Sequence, residues 1–180
     1  MTERLCIVVP INVWTPGLHV FRTEFLDESI LRIPPHISIC ESRLPNRGIE
    51  SSWARRIDKL NMIGGEVPAF SYSLSELFWD EVKGVLCMRP QDDGDRFNRL
   101  KRTAQNALGS FSGLRDPHTP RLDLASKAGL DQFVLEERFR ELNCEDFSLS
   151  CRATEVEVYR KVGKDWYLNT TIPLGQSDEN

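Results

Sequence analysis

The sequence predicts an α+β fold, and three observations carry that reading. Segments with apolar residues three and four apart interleave with segments that alternate apolar and polar with period two. Several period-two segments lie next to one another around short turns, which favours hairpins over the long crossovers of a parallel sheet. At 180 residues, 40% hydrophobic and 28% charged, the chain has ordinary globular composition and length for one good-sized core. No linker, low-complexity block or fixed-period repeat interrupts it, so residues 1–180 read as one domain.

The first strand is "RLCIVVPI" (4–11). "TPGLHVFRTEFLDES" (15–29) follows as a helix, with Pro16 at its first position and Leu18, Phe21, Phe25 and Leu26 as its apolar stripe. "ILRIPPHISICES" (30–42) reads as the next strand, entered through its double proline, which forces extended backbone on what precedes it. "GIESSWARRIDKLNMIGG" (48–65) reads as a helix buried through Ile49, Trp53, Ile57 and Leu60 and stopped by Gly64–Gly65.

"AFSYSLSEL" (69–77) and "VKGVLCMRP" (82–90) form a hairpin turning near Trp79–Asp80. "RFNRLKRTAQNALG" (96–109) is a helix presenting Phe97, Leu100, Ala104 and Leu108, closed by Gly109. "PRLDLA" (120–125) is a short strand and "LDQFVLEERFREL" (130–142) a further helix. "FSLSCRATEVEVYRK" (147–161) and "WYLNTTIPLG" (166–175) close the chain as an antiparallel pair around Gly163.

Composition narrows the function. A net charge of −4 argues against a surface that captures long nucleic acid, although a local basic cleft for a small phosphate stays open. No apolar run approaches the ~20 residues that span a bilayer. "MTERLCIVVPI" lacks the cleavage site of a secretory signal, so no membrane partner is expected. The five cysteines have no CxxC or zinc spacing, and they read as small buried thiols in a reducing, cytoplasmic setting.

The chemistry gathers in two short strands. In "PPHISIC" (34–40) His36 and Ser38 point one way while Ile37 and Ile39 point the other. Imidazole changes charge near neutral pH, and a hydroxyl beside it can bind a phosphate oxygen or orient the ring. An edge histidine with an exposed serine gives the same pattern. "PRLDLA" superimposes on "PHISIC", setting Arg121 on His36 and Asp123 on Ser38.

Two such strands about half a chain apart resemble the signature of the two-histidine (2H) phosphoesterases. These include the bacterial enzymes named for 2'-5' RNA ligase activity, the RNA cyclic phosphodiesterases and the plant cyclic phosphodiesterases. The family carries two copies of a "P-H-φ-[ST]-φ" strand, φ being apolar, on two similar lobes. The order of elements along most of this chain follows it. The resemblance implies a bilobal fold, two mainly antiparallel sheets forming a central groove with helices packed outside. It also implies a metal-independent mechanism with no cofactor, one histidine acting as base and one as acid. The implied substrate is a small nucleotide or oligonucleotide with a 2',3'-cyclic or 2'-5' phosphodiester, and short RNA ends become candidate partners.

Carried over by position, His36 and Ser38 keep the family's types as the catalytic pair, whereas Arg121 and Asp123 replace the second pair as binding residues. Arginine stays protonated at neutral pH and cannot shuttle a proton, but it can clamp a phosphate or carboxylate. Asp123, on the same face, can simply pair with it. His118, ahead of Pro120 in "DPHTP", reads as a turn-stabilising residue or as a substrate-binding one that swings into the groove.

The leading reading is a groove that binds a small phosphate-bearing ligand and acts on its phosphodiester through His36; the alternatives are a nucleotide-binding protein without hydrolysis and an enzyme turned to other acid–base chemistry with Arg121 holding the anion. Arg32 and Arg89 are candidates to add positive potential and otherwise read as solvated charges, while Trp79, Tyr159 and Trp166 read first as core or rim and only second as partners for a stacked base. His19 reads as packed or exposed rather than catalytic, and the "RLKR" run (99–102) as a solvated helix face.

Overall fold

The computed structural model describes residues 4–43, 49–92, 95–108, 119–126, 131–143 and 147–176. Fourteen elements follow in chain order: β1 (Arg4–Pro10), α1 (Pro16–Phe25), α2 (Glu28–Leu31), β2 (His36–Arg43), α3 (Ile49–Leu60), α4 (Ile63–Glu66), β3 (Phe70–Asp80) and β4 (Val85–Asp92). They continue with α5 (Arg96–Leu108), β5 (Leu122–Ala125), α6 (Gln132–Asn143), β6 (Leu149–Ala153), β7 (Glu155–Val162) and β8 (Asp165–Pro173). The strands form two four-stranded sheets, ordered β2-β1-β7-β8 and β5-β4-β3-β6, and every pairing inside them is antiparallel. This is the α+β, two-sheet architecture expected of the sequence.

Local chemistry explains most boundaries. Thr15 caps α1 by accepting a hydrogen bond from the Leu18 N–H at 3.2 Å, and Pro16 takes the first turn, where no N–H is needed. The buried face of α5 is Phe97, Leu100, Ala104 and Leu108, the stripe its spacing predicts. In the β3–β4 turn, Asp80 Oδ1 accepts from the N–H groups of Val82 and Lys83, each at 3.1 Å. Gly84 supplies the positive φ of 63° that closes this turn.

Three expectations are corrected. The stretch 147–161 is two strands, not one. β6 pairs with β3 in the second sheet, whereas β7 returns to β1 in the first and makes the hairpin with β8 around Gly163. Gly64 and Gly65 lie inside α4 rather than ending a helix; a Cβ on Gly64 would sit 2.5 Å from the Pro173 carbonyl oxygen, so this glycine permits close approach to β8. Ile30 and Leu31 belong to α2 and not to the second strand. Of the stripe expected on α3, Ile57 is half-buried and Leu60 buried, while the side chains of Ile49 and Trp53 and the whole of Gly109 lie outside the described residues.

The main core lies between the sheets and the helices. Leu5, Ile7, Val9, Ile37 and Ile39 from the first sheet join Tyr72, Leu74, Leu86, Met88 and Leu122 from the second. The helices cross over: α1 packs on α6 and on β5 of the second sheet, and α5 packs on β2 of the first. Central strand β1 is buried on both faces, and its other face joins a smaller cluster of Cys6, Val8, Ile33 and Tyr159, with Trp166 against it. Cys6, Cys40, Cys87 and Cys151 are buried thiols outside any disulfide among the described residues, and Cys144 lies outside those residues.

Candidate functional site

The two motif strands are the facing edges of the two sheets. The Ser38 N–H donates to the Arg121 carbonyl oxygen at 3.0 Å, and this antiparallel bridge joins β2 to the residue just ahead of β5. Directly opposed residues in an antiparallel pair point to the same face. Ser38 therefore lies opposite Arg121, and continuing the register sets His36 opposite Asp123. Ile37 and Ile39, on the other face, are fully buried in the main core. Alternation thus brings His36, Ser38, Arg121 and Asp123 together along one seam between the lobes.

Arg121 is held by carboxylates. Its Nε donates to Asp123 Oδ1 at 2.8 Å, and its Nη1 donates to Asp80 Oδ2, the oxygen of Asp80 not used in the β3–β4 turn. Burial works to lower the Arg121 pKa, and the charges and hydrogen bonds of Asp123 and Asp80 outweigh it and raise the pKa. For Asp80, burial works upward, and the Arg121 hydrogen bond with the Lys83 N–H and both cationic charges carries the carboxyl below its ordinary value. Cys87 donates its thiol to Asp123 Oδ1 at 3.3 Å; burial first, then the carboxylate's charge, pushes the thiol up and keeps it protonated.

His36 has the opposite environment. Its Nδ1 lies 2.6 Å from the Pro34 carbonyl oxygen. A carbonyl only accepts, so Nδ1 carries the proton and Nε2 keeps a free lone pair. The ring is 6% exposed, and burial lowers its pKa to about 4. The Pro34 hydrogen bond and the charge of Asp123 oppose that shift, whereas the charge of Arg22 adds to it. At neutral pH His36 can accept a proton at Nε2 and has none of its own charge to give up.

Arg22 was invisible to the motif reading. It reaches from α1 to donate through Nε to the Asp123 carbonyl oxygen at 3.0 Å, and its guanidinium lies 5.5 Å from the centre of the Trp14 ring. Desolvation lowers its pKa to about 10, against the charge of Asp123. Asp80, Lys83 and Cys87 were missed as well. Each comes from the β3–β4 hairpin, whose arrival at the seam is a long-range fact of sheet order. Only the D-x-x-x-G turn around Asp80 carried a local signal, and that signal spoke of the turn alone.

A cavity of about 110 Å³ opens over the Ser38–Arg121 end of the seam, lined by Cys6, Ser38, Lys83, Thr119, Arg121 and Asp123 among others. That is room for a tetrahedral oxyanion or a few waters, each ~30 Å³, and is below the ~300–1,000 Å³ of pockets for drug-sized ligands. His36 stands one residue pair along the seam and does not line it.

The other candidates are dispersed. Arg32 pairs with Asp165, Arg89 is exposed over the Phe78 ring, and Arg99 donates to the Glu66 carbonyl oxygen at 2.8 Å. His19 is exposed on α1, Trp79 is half-buried, and buried Tyr159 donates to Glu157 at 2.9 Å. His118 lies outside the described residues. Among the described residues no group of three or more His, Cys, Asp and Glu could hold a metal ion, and no helix is long and apolar enough to cross a membrane.

No protein-family model and no curated protein matches the sequence. Solved structures do. Escherichia coli LigT in its apo form is 13% identical at a TM-score of 0.60, over 97% of this chain and 99% of that one. A structure described as a phosphoesterase reaches 0.65 at 11% identity, over 97% and 99%. A Thermus thermophilus protein reaches 0.61 at 12% identity, over 95% and 97%. The fold is that of the 2H phosphoesterases. Similar LigT structures hold 3'-AMP, NADP+ and ATP.

Proposed function

We propose that this chain is a 2H phosphoesterase relative whose seam binds a small phosphate-bearing ligand and does not hydrolyse it by the two-imidazole route. The observation that carries the reading is the asymmetry of the seam. On a fold whose neighbours take phosphate-bearing molecules, one half keeps His36 and Ser38, and the other half spends its cation on Asp80 and Asp123.

Acid–base hydrolysis needs one group to take a proton and another to give one, each within reach of the phosphoryl centre. His36 at a pKa of about 4 is neutral and a weak base, and Arg121 is locked in its protonated state. Neither gives up a proton at neutral pH. Binding asks less. The Ser38 hydroxyl, Lys83 and the remaining Arg121 N–H groups surround a cavity of phosphate size. Asp123 and Glu41 line the same cavity and Asp80 pairs with Arg121, so their carboxylates cancel much of the positive field and the affinity expected for a bare phosphate is modest. Buried cysteines kept as thiols suit a reducing, cytoplasmic setting.

A second reading is slow hydrolysis with His36 as sole base. It is favoured by the Nδ1 hydrogen bond to Pro34, which fixes the tautomer that leaves Nε2 free. Binding of inorganic phosphate and 3'-AMP by calorimetry, run beside turnover of 2',3'-cyclic nucleotides and 2'-5' oligoadenylate, separates the two. Binding without turnover is the expected result. Turnover lost in His36→Ala establishes the second reading, and absence of both binding and turnover removes the phosphate assignment altogether.

A further inference from the structure

The seam is joined at one residue pair and parted at the next. Ser38 and Arg121 form an isolated antiparallel bridge, the Ser38 N–H donating to the Arg121 carbonyl oxygen at 3.0 Å. Alternate carbonyls of a strand point to the same edge, so the Asp123 carbonyl faces β2 as the Arg121 carbonyl does. A ladder running on from the bridge would give that oxygen the His36 N–H. It accepts instead from Arg22 Nε at 3.0 Å, and the ladder ends.

Arg22 arrives from α1, which packs on β5, and lies on the buried face of that helix at 3% exposure. The guanidinium is fixed twice, at Nε by the Asp123 carbonyl and over the Trp14 ring, 5.5 Å from its centre. Desolvation takes its pKa no lower than about 10, so it is charged at neutral pH. A cation carried by neither motif therefore stands between the two motif strands.

The His36 ring is flanked from several sides. β1 sets uncharged Pro10 across from it, and the segment ahead of β2 supplies the Pro34 carbonyl that accepts from Nδ1. β5 brings Asp123, whose charge favours an imidazolium, and α1 brings Arg22, whose charge opposes one. Burial is the largest influence, the Pro34 bond is second, and Arg22 outweighs Asp123 between the two charges. Arg121, one residue pair along, is engaged by Asp80 and Asp123.

We propose that Arg22 is the positioning residue of this half of the seam: its guanidinium, wedged between the motif strands, keeps β2 and β5 parted at His36 and keeps the imidazole an uncharged proton acceptor. The role belongs to the seam itself and holds whatever ligand the seam takes. It makes α1, which carries no motif residue, a partner in any acid–base step at His36.

The test needs no ligand. In the wild type, amide exchange is expected to be on the order of tenfold faster at the His36 N–H than at the Ser38 N–H, whose acceptor is in place. Equal protection overturns the wedge. The His36 ring is then followed by NMR titration, from a wild-type pKa of about 4. Arg22→Gln removes the charge and keeps a donor for the Asp123 carbonyl; the ring is expected to titrate about one unit higher. Arg22→Met, which removes the charge on an apolar stem, is expected to give the same rise and serves where the amide variant folds poorly. Arg22→Lys keeps the charge and is expected to titrate as the wild type does. An unmoved ring in the neutral variants, or an equal rise in Arg22→Lys, overturns the positioning role, because lost packing alone would shift all three alike. Neither result touches phosphate binding, which stands or falls on its own measurement.

Discussion

The two halves of the seam share a backbone and differ in how they settle their charge. In the first half, "PPHISIC" buries an imidazole and makes it neutral; the protein removes the charge. In the second half, "TPRLDLA" buries a guanidinium that cannot be neutralised and surrounds it with Asp80 and Asp123; the protein balances the charge. Strand alternation and the proline ahead of each motif place all four side chains on one face, whatever they are. Alternation therefore sets the geometry of such a seam and not its chemistry, and a fold match alone does not reveal which chemistry the seam carries.

The largest expected effect breaks the balanced half. Asp80→Asn with Asp123→Asn leaves Arg121 buried without a counter-charge and should cost about 3–5 kcal/mol in chemical denaturation. Adding Arg121→Met removes the stranded cation and should recover most of that loss. No recovery would mean that the carboxylates serve the fold through something other than Arg121.

The neutral half is broken by acid. His36 titrates at about 4 when folded, against 6.5 for an ordinary histidine. Between those values the unfolded chain holds the extra proton, so stability rises with pH through the window and is lost as pH falls from 6.5 to 4. Below 4 both states are protonated and the loss levels off. The full difference is about 3 kcal/mol. It is read by comparing the pH dependence of stability of the wild type with that of His36→Gln, in which this component should be flat.

The third expectation sharpens the comparison by erasing it. Arg121→His with Asp123→Thr copies the family pattern onto the second half and should bring measurable hydrolysis of 2',3'-cyclic nucleotides. A positioned general acid contributes on the order of 10²-fold or more. A variant that folds, binds phosphate and still fails to turn over would place the deficit in the burial of His36 rather than in the missing partner.

The fold was legible wherever a local period reported a buried face. The stripe of α5 and the alternation of β2 and β3 needed no tertiary information. The division of 147–161 was also written in the chain, as a change of phase. Leu149, Cys151 and Ala153 face the core from odd positions, and Val156 and Val158 do so from even ones. A single strand cannot change phase without a break, and that break falls at Thr154. Gly64 misled because a glycine that lets two backbones approach looks the same in sequence as one that ends a helix. The motif residues of the seam were visible because strands have period two. Asp80 and Arg22 were not, because each is about forty to a hundred residues from its partner and meets it through sheet order and helix crossover.

The crossover of the helices has one more consequence. Phe70, where the chain leaves for the second sheet, is paired with Ala153, where it departs again, so the outgoing and returning stretches run side by side. On topology alone the span from 70 to 153 could be snipped out as a self-contained insert and its neighbours rejoined. The α1 and α5 exchange forbids that surgery: the excised piece would lose the packing of α1 on α6 and β5, and the remainder would lose the packing of α5 on β2. Each half carries part of the other's roof, so the pair should be inherited, expressed and unfolded together.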